Sequence, residues 1–115
     1  MRIEHMIDDI LNDTINKFND KIATDEKLRS DLTGISRSIV LRLDDGRRFN
    51  FQLSDCHASK PNVGDLDNPD ISIESDEATL EALYKGEMRA MKAFALRKLR
   101  VKSTMEDLLR LRKFF

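Results

Sequence analysis

The chain opens on a helical pattern of apolar and polar positions. Ile3, Met6, Ile7, Ile10, Leu11 and Phe18 recur near a 3.6-residue spacing, with Glu4, Asp8, Asp9, Asp13 and Lys17 between them. This predicts an amphipathic helix over residues 2–20. A second, short helix is expected from about Asp25 to Leu32, with Thr24 as its N-cap and Gly34 as its stop.

The period then changes to 2. Ile35, Ile39, Leu41 and Leu43 fall on one face, interrupted by Arg37, and Ser36, Ser38 and Arg42 fall on the other. Asp44-Asp45-Gly46 follows, where Gly46 can supply a positive φ, and Phe49, Phe51 and Leu53 then alternate with Arg48, Asn50 and Gln52. The combination predicts a β-hairpin. Residues 54–69 are polar and carry Pro61, Gly64 and Pro69, so a short strand near Cys56–Lys60 and then a loop are expected.

Alternation resumes at Asp70-Ile71-Ser72-Ile73-Glu74, a fourth strand. Ser75 is placed to cap the next helix, which carries Ala78, Leu80, Leu83 and Tyr84 and breaks at Gly86. Met88, Met91, Phe94 and Ala95 indicate a further helical turn or two, and Arg97-Lys98-Leu99-Arg100-Val101-Lys102 reads as a fifth strand. Thr104 is then the N-cap of a last helix, with Asp107 in the position of a capping-box acid and Leu108, Leu111 and Phe115 on one face. The order ααβββ(β)ααβα groups strands and helices in blocks, which predicts a single α+β domain over 1–115 with a mostly antiparallel sheet.

In this order the chain resembles the sterol-carrier-protein type 2 family. Asn68-Pro69-Asp70-Ile71-Ser72-Ile73 is similar to that family's entry into a strand. Leu80-Glu81-Ala82-Leu83-Tyr84-Lys85-Gly86 is similar to its helix ending in glycine, and Ala90 to Ala95 followed by Lys98-Leu99-Arg100-Val101-Lys102 to its next helix and strand. Thr104 to Leu111 looks like its closing helix. Two positions depart: Arg97 stands where the family usually has a glycine before the lysine, and Ser103 where it has one after the strand. The resemblance implies an SCP2-like α+β fold, a five-stranded sheet covered by about five helices. It also implies a cavity between sheet and helices for a sterol, fatty acid or other lipid. It implies no catalytic residue, and no cofactor or metal is expected.

Charge modifies this picture. The chain has 115 residues and a net charge of −1, yet residues 86–115 carry nine basic and three acidic groups, whereas residues 1–34 carry five and eight. Arg97, Lys98, Arg100 and Lys102 therefore form a candidate patch for transient contact with an anionic membrane surface. No aromatic residue interleaves the basic strand, so nucleic acid is not an expected partner. One cysteine, Cys56, excludes an internal disulfide, and no apolar run reaches bilayer-spanning length. With no secretory pattern at Met1–His5, a cytoplasmic setting is expected.

The candidate cavity lining is the Met- and Phe-rich C-terminal third: Met88, Met91, Phe94, Leu108, Leu111, Phe114 and Phe115. Methionine adapts to variable apolar shapes, and burying a ligand chain gains about 0.8 kcal/mol per methylene. The same residues can instead fill an ordinary core, which is what apolar helix faces usually do. Asp65, Asp67 and Asp70 lack the spacing of a calcium loop and read as turn chemistry. Asp55-Cys56-His57 tempts a nucleophile–base assignment, but neighbouring strand residues point to opposite faces, and no acid–base constellation is evident elsewhere. The expected function is therefore non-enzymatic binding or transfer of an apolar ligand. The rival is a protein-interaction or homodimerisation module with a filled cavity, using the charged surface or Phe114-Phe115.

Overall fold

The computed structural model describes residues 3–111 as backbone and the side chains of residues 7–110. The first helix, α1, runs Ile3–Thr24, and α2 runs Glu26–Leu32. The strands β1 (Arg37–Leu43), β2 (Arg48–Ser54), β3 (His57–Ala58), β4 (Asn62–Val63) and β5 (Ile71–Ser75) follow. The chain closes with α3 (Glu77–Tyr84), α4 (Ala90–Ala95), β6 (Leu99–Lys102) and α5 (Met105–Leu111). The fold is α+β, as the strand and helix blocks imply.

Helix α1 extends past the expected end because its apolar stripe does: Ile7, Ile15 and Ile22 are buried and Leu11 and Phe18 half-buried, one continuous 3.6-period line. Two capping expectations change and one holds. Thr24 stays within α1, its hydroxyl bonded to the carbonyl of Asp20, and Asp25 caps α2 by accepting the Leu28 N–H at 3.0 Å. Ser75 ends β5, fully buried, and donates to the Lys98 carbonyl at 2.8 Å. Its neighbour Asp76 caps α3 by accepting the Thr79 N–H at 2.7 Å. Thr104 does cap α5, accepting the Asp107 N–H at 3.1 Å.

The sheet order is β3-β2-β1-β5-β6, with β4 also paired to β2. Four pairings are antiparallel, and the central one, β1 with β5, is parallel. The β1–β2 turn closes through Leu43 N–H to Arg47 C=O at 2.9 Å, with Gly46 at φ 101°. The β2–β3 connection is a two-residue turn at Asp55-Cys56, with φ of 53° and 58°, the left-handed pair of a type I′ hairpin. Cys56 is thus a turn residue, with Sγ 3.5 Å from the Arg29 carbonyl, and not a strand residue beside His57.

Register puts the odd-numbered residues on one face: Phe49–Leu41–Ile73–Val101 form one row across the strands and Phe51–Ile39–Ile71 the next. Two core clusters join this face to the helices. One gathers Ile22, Leu28, Leu32, Ile39, Leu53 and Ile71, and the other Ile7, Leu41, Leu43 and Phe49. The even face is polar, and the loop after β3 folds onto it. Arg42 donates to Asp65 at 3.0 Å, to the Leu66 carbonyl at 3.2 Å and to Ser72 Oγ at 3.2 Å. Asp70 accepts the Ser38 N–H at 2.8 Å, and the Asn50 amide donates to the Gly64 carbonyl at 3.0 Å. Val40, on this face, is 0% exposed in consequence. The acidic loop therefore serves as a polar cover, and the Leu66 N–H with Arg42 holds the Asp65 carboxyl below its ordinary range.

Candidate ligand-binding site

The apolar surface left open by this packing lies on the helix-covered face. Ile73 sits on a strand flanked on both sides and packs against both core clusters, yet it is only half-buried. Its neighbours in the same condition are Phe51 and Val101 on the sheet, Leu11 and Phe18 on α1 and Leu80 on α3. Interior strand residues under a helix layer are normally sealed. Here six apolar side chains from α1, α3, β2, β5 and β6, packed against the two core clusters with Ile73 common to both, keep part of their surface uncovered. None of the six is polar, so the arrangement can bury an apolar ligand and offers no reacting group.

One end of this face is charged. Arg37 leads the row that contains Leu53 and accounts for the break in the apolar pattern of β1. Its Nε donates to Asp107 Oδ2 at 2.8 Å, and Arg110 Nη1 donates to Asp107 Oδ1 at 2.8 Å. The Asp107 side chain is 4% exposed, so the expected capping-box acid instead turns inward to bridge two guanidiniums. Burial pushes its carboxyl up, but the hydrogen bonds and charges of Arg37 and Arg110 together outweigh burial and hold it below the ordinary range. Arg37 is raised correspondingly, chiefly by its bond to Asp107. This pair ties α5 to the start of β1.

The sequence-derived lining residues lie on α4, on α5 and in the turn before α4, or outside the described residues. Phe94 and Leu108 are half-buried on α4 and α5, and Met88 is half-buried in the turn between α3 and α4. Met91 is 62% exposed on the outer side of α4. Leu111 closes α5, and its side chain, like Phe114 and Phe115, lies outside the described residues. The half-buried sheet residues Phe51, Ile73 and Val101 were legible only as strand positions, because periodicity assigns a face and says nothing of how completely a helix covers it.

The basic segment is also redistributed. Arg97 is no strand residue: β6 begins at Leu99, and Arg97 lies in the turn ending α4 with φ 59°. Arg100 is neutralised by Asp44 at 2.6 Å and Glu74 at 3.8 Å. Arg97, Lys98 and Lys102 are exposed and form no ion pair among the described residues. A surface groove of about 260 Å³ at the α1–α2 junction is lined by Lys21, Asp25, Lys27, Leu28 and Asp31, a charged wall unsuited to an acyl chain.

The profile of the SCP-2 sterol transfer family matches residues 15–115. The chain belongs to the SCP-2 sterol transfer family. Solved structures agree on the fold of this family member. The Thermus thermophilus protein TT1886, described as possibly a sterol carrier protein, is 19% identical with a TM-score of 0.61, covering 90% of this chain and 77% of its own. Palmitated SCP2L2 from Aedes aegypti is 12% identical with a TM-score of 0.59, covering 87% and 88%. The stereoselective inverting sec-alkylsulfatase Pisa1 from Pseudomonas sp. is 14% identical with a TM-score of 0.57 over 74% of this chain, which spans only 13% of that enzyme. No curated protein matches the chain. No helix among the described residues is long and apolar enough to cross a membrane.

Proposed function

We propose that this SCP-2 family domain is a non-enzymatic carrier that holds one apolar ligand, a fatty acid, sterol or similar lipid, between its sheet and helices. The observation that carries the reading is the incompletely covered apolar centre, Ile73 with Phe18, Phe51 and Val101. A ligand chain laid there would complete the burial that the helices leave unfinished, at about 0.8 kcal/mol per methylene. The palmitated state of the Aedes aegypti neighbour supports an acyl chain as a reasonable first probe. Met88, Phe94 and Leu108, half-buried on elements that follow the sheet centre in the chain, are proposed to contribute to the wall.

The test is gentle purification followed by native mass spectrometry for retained lipid and titration with a fluorescent fatty acid. Binding should be saturable and displaceable, and Ile73→Trp, which fills the open centre, should weaken it at least tenfold while the protein still melts cooperatively. Wild-type protein that carries no lipid and gives no displaceable signal would sink the carrier reading. A self-associating module is the second reading. It is favoured by Met105 and Leu109, one turn apart on α5 and both exposed. Sedimentation equilibrium showing a lipid-free dimer that Leu109→Ser dissociates would establish it instead.

A further inference from the structure

Thr14 interrupts the apolar stripe of α1. It stands seven residues after Ile7, three after Leu11 and four before Phe18, so helical spacing places it in the same line as all three. Ile7 is 1% exposed, and Leu11 and Phe18 are half-buried against the core clusters, yet Thr14 between them is exposed. Ile10, one turn earlier, is only half-buried. The inner side of α1 is therefore open to solvent at this turn.

The element that meets α1 here is α3, and it is fastened firmly at one end only. Its first turn is held by Asp76, which accepts the Thr79 N–H at 2.7 Å and the Thr79 hydroxyl at 2.9 Å, and Glu77 lies 3.3 Å from Arg47 of the hairpin. Thr79 is buried, whereas Leu80, Ala82 and Leu83 are half-buried and Tyr84 is 43% exposed. At that far end the Tyr84 hydroxyl donates to Asp13 Oδ2 at 2.6 Å. Lys17 Nζ lies 3.1 Å from the same oxygen and 5.2 Å from the centre of the Tyr84 ring. These three side chains clasp α3 to α1 at the residue next to Thr14. Contacts so exposed are individually weak, which suits one that must open and close.

We infer that the C-terminal half of α3 is a lid held shut by the Tyr84–Asp13–Lys17 clasp, and that the apolar ligand enters and leaves between α3 and α1, past Thr14. The inference rests on the carrier reading, whose site the lid serves. Leu80 on the lid and Leu11 beside the opening pack, together with Ile73, against one core cluster. Hinging about the capped first turn carries Leu80 and Leu83 away from α1 and widens the gap at Thr14, with the sheet undisturbed. The clasp is the same whether the site is empty or filled, so it sets the rate of exchange and leaves the affinity alone.

The experiment is stopped-flow exchange of a fluorescent fatty acid on the full chain, with release measured against excess unlabelled fatty acid. Tyr84→Phe removes one hydroxyl and keeps the ring over Lys17. Uptake and release should both quicken about fivefold, the worth of one hydrogen bond, while the affinity stays within about twofold. Thr14→Trp puts bulk in the opening and should slow both rates roughly fivefold. Asp107→Ala loosens α5 instead and costs more stability, so it separates a specific gate from general loosening. It should change the rates less than Tyr84→Phe does. Wild type that binds no probe sinks the carrier reading and the lid with it. Normal binding with rates unchanged in Tyr84→Phe and Thr14→Trp leaves the carrier reading standing and overturns the lid alone. Rates that respond to Asp107→Ala and not to Tyr84→Phe put the passage beneath α5 and overturn it as well.

Discussion

Replacing Asp107 by alanine tests how α5 is held. The Asp107 carboxylate is 4% exposed and receives hydrogen bonds from Arg37 and Arg110, which are themselves 27% and 23% exposed. Removing one partner of a fully buried pair costs about 3–5 kcal/mol, because the charge left behind has neither partner nor water. Here both orphaned guanidiniums keep about a quarter of their surface in solvent, which offsets part of that loss. The expected cost is therefore about 2–3 kcal/mol, larger than the ~0.2–1 kcal/mol of an exposed pair such as Arg100–Asp44. For a domain of this size that corresponds to a fall in melting temperature of roughly 10 °C. The assay is urea unfolding of wild type, Arg37→Ala, Asp107→Ala and the double variant. A coupling of about 1 kcal/mol or more between the two sites is expected. A coupling indistinguishable from zero, with Asp107→Ala costing no more than an exposed pair, would refute the argument that α5 is tied down by charge.

The same carboxylate predicts acid behaviour. Its folded pKa is depressed, so its contribution is present above the unfolded value of about 3.9 and is lost as pH falls through the lower folded value. Asp45, held low by Arg47, and Asp65 add in the same direction. Circular-dichroism melts should therefore lose stability progressively below about pH 4, and Asp107→Asn should flatten that loss. Asp76→Ala should cost about 1 kcal/mol by removing the α3 cap.

Much of the architecture is legible in the chain because two periods suffice for it. Ile7 to Phe18 declares a helix, and Ile39 to Leu53 with Gly46 declares a hairpin. The missed caps, Asp25 and Asp76, lie one residue after the positions expected, where a Thr or Ser beside an Asp leaves local sequence indifferent. Strand β4 was not legible because Asn62-Val63 has no pattern of its own and pairs only because the loop folds back on β2. The type I′ turn at Asp55-Cys56 lacks the usual glycine, so its backbone is dictated by the strands it joins. Arg37 and Asp107 stand 70 positions apart, and each reads locally as a routine surface charge. Arg97 is the reverse case: an oddity visible in the sequence alone, whose left-handed backbone shows that the expected glycine had a geometric reason.

The parallel contact between β1 and β5 has a consequence for synthesis. Residues Ile39–Leu43 pair with Ile71–Ser75, whereas the other edge of β1 pairs with β2 immediately after it in the chain. On a ribosome the hairpin is therefore complete before its second neighbour exists. Until β5 emerges, β1 offers an apolar strand with one open edge, the kind of template on which chains join one another. The interval lasts while about twenty residues are added, from the end of β2 at Ser54 to the end of β5 at Ser75, roughly one to four seconds at ordinary elongation rates. Much of that interval is taken up making the polar loop of residues 59–70, the same loop that goes on to cover Val40.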